Sequence, residues 1–89
     1  MHSLAPETDV RAMHVVVEDA RLVVDLMDGR TIAVPLVWYP RLANATPQQR
    51  SHWELAGGGY GIHWPDIDED LSTEGLLRGA RAPQVGLKP

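Results

Sequence analysis

The chain has 89 residues, enough for one domain with a thin core, because a chain this short buries only about 60–65% of the surface its unfolded form exposes. Hydrophobic residues make up 44% and charged residues 22%, the balance of a folded globular protein, and the absence of cysteine excludes disulfides, thiolate metal sites and cysteine nucleophiles. A net charge of −4 argues against nonspecific nucleic-acid binding; without an apolar run near the roughly 20 residues of a membrane span, or a basic-then-apolar leader, a cytoplasmic protein is expected.

Residues 1–9, with Pro6 among small and polar residues, read as a loose arm. From Met13 the pattern becomes β-branched through Val15, Val16 and Val17. Arg21 to Met27 alternates, with Leu22, Val24 and Leu26 on one face, and Thr31 to Leu36 alternates again, with Ile32, Val34 and Leu36. These three short strands predict an antiparallel meander. At its second turn, a two-residue Asp28-Gly29 loop would mix apolar and polar faces. A three-residue Met27-Asp28-Gly29 loop instead pairs Val24 with Ile32 and Leu22 with Val34, with Gly29 in the left-handed position. The first turn, Glu18 to Arg21, pairs Val17 with Leu22 and Val15 with Val24. Pro35 lacks an amide donor and belongs at a strand end or an unpaired edge.

After Trp38-Tyr39-Pro40 the period changes. Arg41 to Ala45 suits one short helical turn. Thr46-Pro47-Gln48-Gln49 is a capping box with proline at the first helical position, which predicts a helix from about Pro47 to Leu55 ending at the glycines from Gly57. Tyr60, Ile62 and Trp64 alternate with Gly61 and His63 and predict a fourth short strand. Ser72 or Thr73 caps a last helix through Leu77, ended by Gly79. Residues 10–79 thus form a single α+β domain, an antiparallel meander plus a further short strand with short helices packed on it in two layers. Residues 80–89 read as a frayed tail.

The segment Asp66-Ile67-Asp68-Glu69-Asp70 places aspartates at positions 1, 3 and 5 of a calcium loop. However, position 6 is Leu71 rather than glycine and position 12 is Leu77 rather than glutamate. A solvated acidic loop, or an acidic face for a basic partner, fits better. His63 with Asp66 or Asp68 supplies ligand types for a transition metal without a ligand spacing that defines a site. Gly57-Gly58-Gly59 lacks the Gly-Lys-Ser/Thr of a phosphate loop and reads as a sharp turn. Ser51 beside His52 cannot act as a nucleophile–base pair on one helix. No catalytic residue, cofactor site or metal site is therefore assigned. The five aromatics are Trp38, Tyr39, Trp53, Tyr60 and Trp64. Trp53 and Trp64 read as core, whereas Trp38, Tyr39 and Arg41 stay open between core and interface. Arg50 and Arg41 lie near these aromatics, and either can instead reach Asp66, Asp68 or Asp70 within the monomer.

The succession Leu36-Val37-Trp38-Tyr39-Pro40-Arg41-Leu42, Ala45-Thr46-Pro47-Gln48-Gln49-Arg50 and Trp53-Glu54-Leu55 leads into Gly59-Tyr60-Gly61-Ile62-His63-Trp64-Pro65-Asp66-Ile67-Asp68-Glu69-Asp70-Leu71-Ser72 and Gly75-Leu76-Leu77. With the Asp28-Gly29-Arg30 turn, it closely resembles the small bacterial domain-of-unknown-function family 2442 (DUF2442) over about residues 10–79. The resemblance implies a compact two-layer α+β domain and supplies no catalytic residues. It also implies a setting: some longer relatives resemble transcription regulators with a helix-turn-helix domain, and others sit beside another small gene, an arrangement that looks like a toxin–antitoxin or two-component pair. Only ten residues follow Gly79 here, so direct nucleic-acid binding by this chain is not expected.

The expected function is a protein-interaction or regulatory module, antitoxin-like in its setting, that binds a protein partner or a second copy of itself. Its expected surface is Trp38, Tyr39, Arg41, Arg50, His63, Asp66, Asp68 and Asp70. The alternative is a small-molecule or metal-binding enzyme using His63 and the Asp66/Asp68/Asp70 loop.

Overall fold

The computed structural model describes residues 7–81. The arm expected over residues 1–9 and the tail over 80–89 fall outside the described residues, except for 7–9 and 80–81. The fold is α+β, with two three-stranded antiparallel sheets and short helices.

Strands β1 (Ala12–Val17), β2 (Arg21–Leu26) and β3 (Thr31–Pro35) form the expected meander in the order β1-β2-β3. Its registers are those the apolar faces require: Val17 opposite Leu22, Val15 opposite Val24, Val24 opposite Ile32 and Leu22 opposite Val34. Leu22, Val24 and Leu26 on the inner face of β2 are all buried. The Leu26 N–H donates to the Arg30 carbonyl at 2.8 Å, closing the three-residue loop, and Gly29 takes φ +97°, which a β-carbon would strain. Pro35 ends β3 at the sheet edge.

In β1, Ala12 lies opposite Leu26 and His14 opposite Asp25, so Met13 is one extra residue and forms a bulge. The bulge changes the phase of the strand: Ala12 and Val15, three positions apart, both face the core, and Met13 is exposed. The second turn of the meander is tied back to the segment before β1. Asp28 Oδ2 accepts the Asp9 N–H at 2.8 Å, and the Arg30 guanidinium reaches the same oxygen at 2.9 Å. The Arg30 side chain first, and then the Asp9 and Arg30 amides, hold the Asp28 carboxyl down at about 2.

The chain then crosses through a tight turn at Leu36–Trp38, α1 (Pro40–Ala43) and α2 (Pro47–Ser51). The capping box of α2 is present, with Thr46 Oγ1 accepting the Gln49 N–H at 3.1 Å and Gln49 Oε1 accepting the Thr46 N–H at 2.9 Å.

The helix does not continue to Leu55. It stops at Ser51, and Glu54–Ala56 is strand β4, the first of a second sheet with β5 (Gly61–Trp64) and β6 (Glu69–Ser72) in the order β4-β5-β6. The capping box specifies where the helix starts and leaves its end to competition, which pairing of Leu55 with Ile62 wins. Gly57, Gly58 and Gly59 all have positive φ and make the turn of this hairpin. At Gly59 a β-carbon would lie 3.1 Å from that of Arg11. The expected acidic loop is likewise half strand: a turn over residues 65–68 leads into β6, where Leu71 pairs with Ile62 and Asp70 with His63. The fourth strand of the sequence reading is therefore the centre of its own sheet.

Helix α3 (Thr73–Arg78) follows, capped by Ser72 Oγ accepting the Gly75 N–H at 2.9 Å. One core joins the sheets: Val15, Leu22, Val24 and Leu26 from the first, Ile62 and Trp64 from the second, closed by Leu36, Tyr39, Leu42 and Leu76.

Two outcomes test this arrangement. Trp64→Ala, which empties the largest fully buried side chain, should lose about 3–5 kcal/mol in urea denaturation, a large share of the stability of a small domain. Asp28 has a depressed folded-state pKa, so its stabilisation is complete above the ordinary value of 3.8 and is lost as the pH falls toward about 2. Asp28→Asn should therefore lower the melting temperature at neutral pH and flatten its fall over that window; an unchanged acid limb would contradict the assignment.

Candidate functional site

The expected surface residues divide into three places. Tyr39 is not on the surface: it is 1% exposed, because Leu36, Tyr39 and Leu42, spaced by three, turn one face of the crossing segment into the core. Its hydroxyl donates to the Ala80 carbonyl at 3.0 Å. Arg50 also works inside the fold, its Nε donating to the Leu42 carbonyl at 2.9 Å and an Nη to the Ala43 carbonyl at 2.8 Å. These bonds pair the Ala43 carbonyl and add to the Ala45 N–H that the Leu42 carbonyl already accepts at 3.2 Å at the end of α1.

His63, Asp66, Asp68 and Asp70 do not converge. His63 faces Asp70 across the β5–β6 ladder, Nδ1 to Oδ1 2.7 Å, whereas Asp66 pairs with His52 Nδ1 at 2.9 Å. Asp68 has φ +53°, a conformation that aspartate tolerates better than most residues, and its carbonyl accepts from Arg41 at 2.5 Å. Among the described residues no group of three or more His, Asp or Glu side chains is placed to hold a metal ion.

A different arrangement gathers Tyr39, Arg41 and Asp70 with residues that carried no functional signal in the sequence. The end of α3 is a Schellman motif, with the Gly79 N–H on the Leu76 carbonyl at 3.2 Å and the Ala80 N–H on the Gly75 carbonyl at 2.9 Å. Gly79, at φ +78°, turns the chain back over α3. This turn sets the Ala80 carbonyl against the Tyr39 hydroxyl and brings Arg81 over Trp38, its guanidinium carbon 4.8 Å from the ring centroid. Between this reversal and β6 lies a cavity of about 140 Å³, lined by Tyr39, Glu69, Leu71, Gly75, Leu76 and Arg81 among others.

Glu69 is the unusual group in it. The residue is 7% exposed, and its Oε2 is the one buried side-chain oxygen or nitrogen among the described residues without a hydrogen-bond partner. Burial pushes its carboxyl above the ordinary carboxylate value; the Arg41 charge and a hydrogen bond from the Asp70 backbone pull the other way, and the Asp70 and Asp68 charges add smaller increments to the rise. Burial first, and then the Glu69 charge, raises the Tyr39 phenol as well. A buried polar group is normally satisfied, so an orphaned and wholly buried carboxyl oxygen calls for an explanation.

Sequence reasoning placed Glu69 in the acidic run without distinguishing it. The available signal was alternation: once Leu71 is set inward opposite Ile62, Glu69 two residues earlier shares its face. A larger hollow of about 630 Å³ lies between His14–Val17 of β1 and Pro47, Arg50 and Trp53. Like the smaller hollow it is about half open to solvent; its arginine is already engaged with the α1 carbonyls, and none of its lining residues has an orphaned buried polar atom.

A family model described as "Protein of unknown function (DUF2442)" matches residues 12–82. Among solved structures, a protein of unknown function from Rhodospirillum rubrum is 35% identical with a TM-score of 0.72, over 88% of this chain and 96% of that one. An uncharacterized protein from Chromobacterium violaceum, solved by NMR in solution, is 25% identical with a TM-score of 0.70, over 83% of this chain and 70% of that one. A search of curated proteins found no match. No helix among the described residues is long and apolar enough to cross a membrane.

The raised Glu69 pKa carries a pH signature. A carboxyl whose folded pKa exceeds its unfolded value of 4.5 contributes stability that is present below that value and lost as the pH rises through the folded pKa. Glu69→Gln, which keeps the shape without the charge, should gain in melting temperature relative to the wild type between pH 4 and pH 7. A difference that is flat across this range would show that the carboxyl is solvated.

Proposed function

The chain belongs to the DUF2442 family, and we propose that it is a cytoplasmic protein-interaction module whose recognition face surrounds Glu69. The observation that carries this reading is a small hollow walled in part by Glu69, a buried carboxylate residue whose Oε2 has no hydrogen-bond partner, beside the exposed side chain of Arg41 and the Arg81–Trp38 stack. Arginine and tryptophan beside a partly enclosed hollow are the composition of an interface hot spot. A cavity of about 140 Å³ is well below the roughly 300–1,000 Å³ of small-molecule sites, so it suits one inserted side chain better than a substrate. The scattered positions of His63, Asp66 and Asp68 weigh against the enzyme reading. The family resemblance points to the product of a neighbouring gene as the partner, in a regulatory or antitoxin-like setting.

Of the expected surface residues, Arg41 is the clean probe. Trp38 also packs against the core, so its removal disturbs the fold as well as the face. The test is capture of a stoichiometric partner by the tagged chain from a lysate of the source cells, followed by an affinity measurement with the purified partner. Arg41→Ala should weaken that affinity about tenfold, equivalent to about 1.4 kcal/mol, while losing its bond to the Asp68 carbonyl should cost about 1 kcal/mol of stability and leave the domain folded. Binding should also weaken with salt. Unchanged affinity in Arg41→Ala, or no partner at all, counts against this face.

A further inference from the structure

We propose that the free edge of β4 takes an extended segment of a partner protein as a fourth strand of the second sheet, and that basic residues alternate with apolar ones in that segment. This surface lies at the opposite edge of the sheet from β6 and Glu69 and goes beyond the reading above.

The ladder fixes which way the backbone of β4 points. The Thr73 N–H donates to the Tyr60 carbonyl at 3.0 Å, one step on from the pair Gly61 and Ser72 in the register of β5 and β6. Hydrogen-bonded pairs alternate along an antiparallel ladder, so Ile62 bonds toward β6, whereas Gly61 and His63 bond toward β4. Their partners Ala56 and Glu54 therefore spend their backbone groups on β5, and the N–H and C=O of Leu55 point away from the sheet. No turn or loop bond among the described residues takes them up.

This edge is also open. Glu54, Leu55 and Ala56 are all exposed, Leu55 at 43%. Both edges of the first sheet are blunted: β3 ends in Pro35, and β1 carries the Met13 bulge and a Val15 that is only 2% exposed. β4 has neither a proline nor a bulge. An unpaired backbone donor and acceptor on an exposed edge are matched by another extended backbone.

Side chains then select the sequence of that segment. On the outer face Glu54, His63 and Asp70 form one row across the three strands. His63 is paired with Asp70, Nδ1 to Oδ1 2.7 Å, whereas Glu54 belongs to none of the ion pairs among the described residues. A residue of the added strand opposite Glu54 has its β-carbon about 4.5–5.5 Å away, where opposite charges stabilise the pair. On the inner face Leu55, opposite buried Ile62, offers an apolar neighbour. The two faces alternate with a period of two, which gives the basic–apolar pattern. The net charge of −4 favours a basic segment over a second copy of this chain.

The experiment is a titration of the isotope-labelled full chain followed by NMR at constant ionic strength, with three peptides. These are acetyl-Lys-Val-Lys-Val-Lys-Val-Lys-amide, its counterpart with glutamate for lysine, and its counterpart with proline for valine, which removes the amides that would face Leu55. The expected result is saturable shifts of the amides of Glu54–Ala56 with the lysine–valine peptide and at least tenfold slower hydrogen exchange of the Leu55 amide. The other two peptides should be silent, and Glu54→Lys should bind the first at least tenfold more weakly with its remaining spectrum unchanged. The proposal is overturned if the lysine–valine peptide gives no saturable shifts, or binds while Leu55 exchange stays the same. Equal binding by the glutamate or proline peptide, or by Glu54→Lys, also overturns it. Protection of the Leu55 amide that rises with protein concentration in the absence of peptide would assign the edge to a second copy and overturn the basic segment.

Discussion

Trp64 stands on the inward face of β5 with no solvent exposure, and its indole N–H donates to the Arg50 carbonyl at 3.0 Å. Burying so large a ring without pairing its one polar atom would cost part of what the burial contributes, so the carbonyl of α2 is part of the core. The Arg50 side chain continues the chain of contacts to the Leu42 and Ala43 carbonyls of α1. Two short helices, neither long enough to be stable alone, are thereby fastened to the second sheet. In a domain with this little interior, that linked set holds the crossing segment in place, and the crossing segment carries Trp38, Tyr39 and Arg41.

The candidate site is a by-product of how the core is closed. Tyr39 is drawn inward with Leu36 and Leu42, and its hydroxyl needs an acceptor; the Schellman end of α3 supplies one in the Ala80 carbonyl. The same reversal carries Arg81 onto Trp38 and leaves a hollow against β6. Glu69, first residue of β6 and opposite Trp64, is held inward there by the strand's alternation. The ladder thus buries a carboxyl of which one oxygen has no hydrogen-bond partner, and such a local conflict between pattern and chemistry is characteristic of functional positions. The interaction reading gives the conflict a purpose.

Much of the molecule was legible in the residues because the relevant physics is local or has a fixed period. The registers of the meander followed from keeping Leu22, Val24, Ile32 and Val34 on one face, since a slip of one residue would turn all of them to solvent. The capping box at Thr46, the Ser72 cap and the Gly79 stop each depend on atoms within a few residues. Strands β4 and β6 were not legible. Glu54–Ala56 continues a helical pattern until Gly61–His63 pairs with it, and Glu69–Ser72 has the composition of a loop until Ile62 and His63 lie opposite Leu71 and Asp70. The bulge at Met13 likewise has no local mark, and the ladder with Leu26 and Asp25 creates it.

The same division separates the surface residues. The sequence by itself determined the α+β class, the meander and its registers, the caps and the family, because each is written in neighbouring side chains or a period of two. Tertiary contacts alone decided that Tyr39 and Arg50 serve the interior, that His63 meets Asp70 while Asp66 meets His52, and that Glu69 Oε2 is, among the described residues, the buried side-chain oxygen without a partner. Those outcomes depend on which groups are removed from water together, and desolvation is set by contacts between segments far apart in the chain.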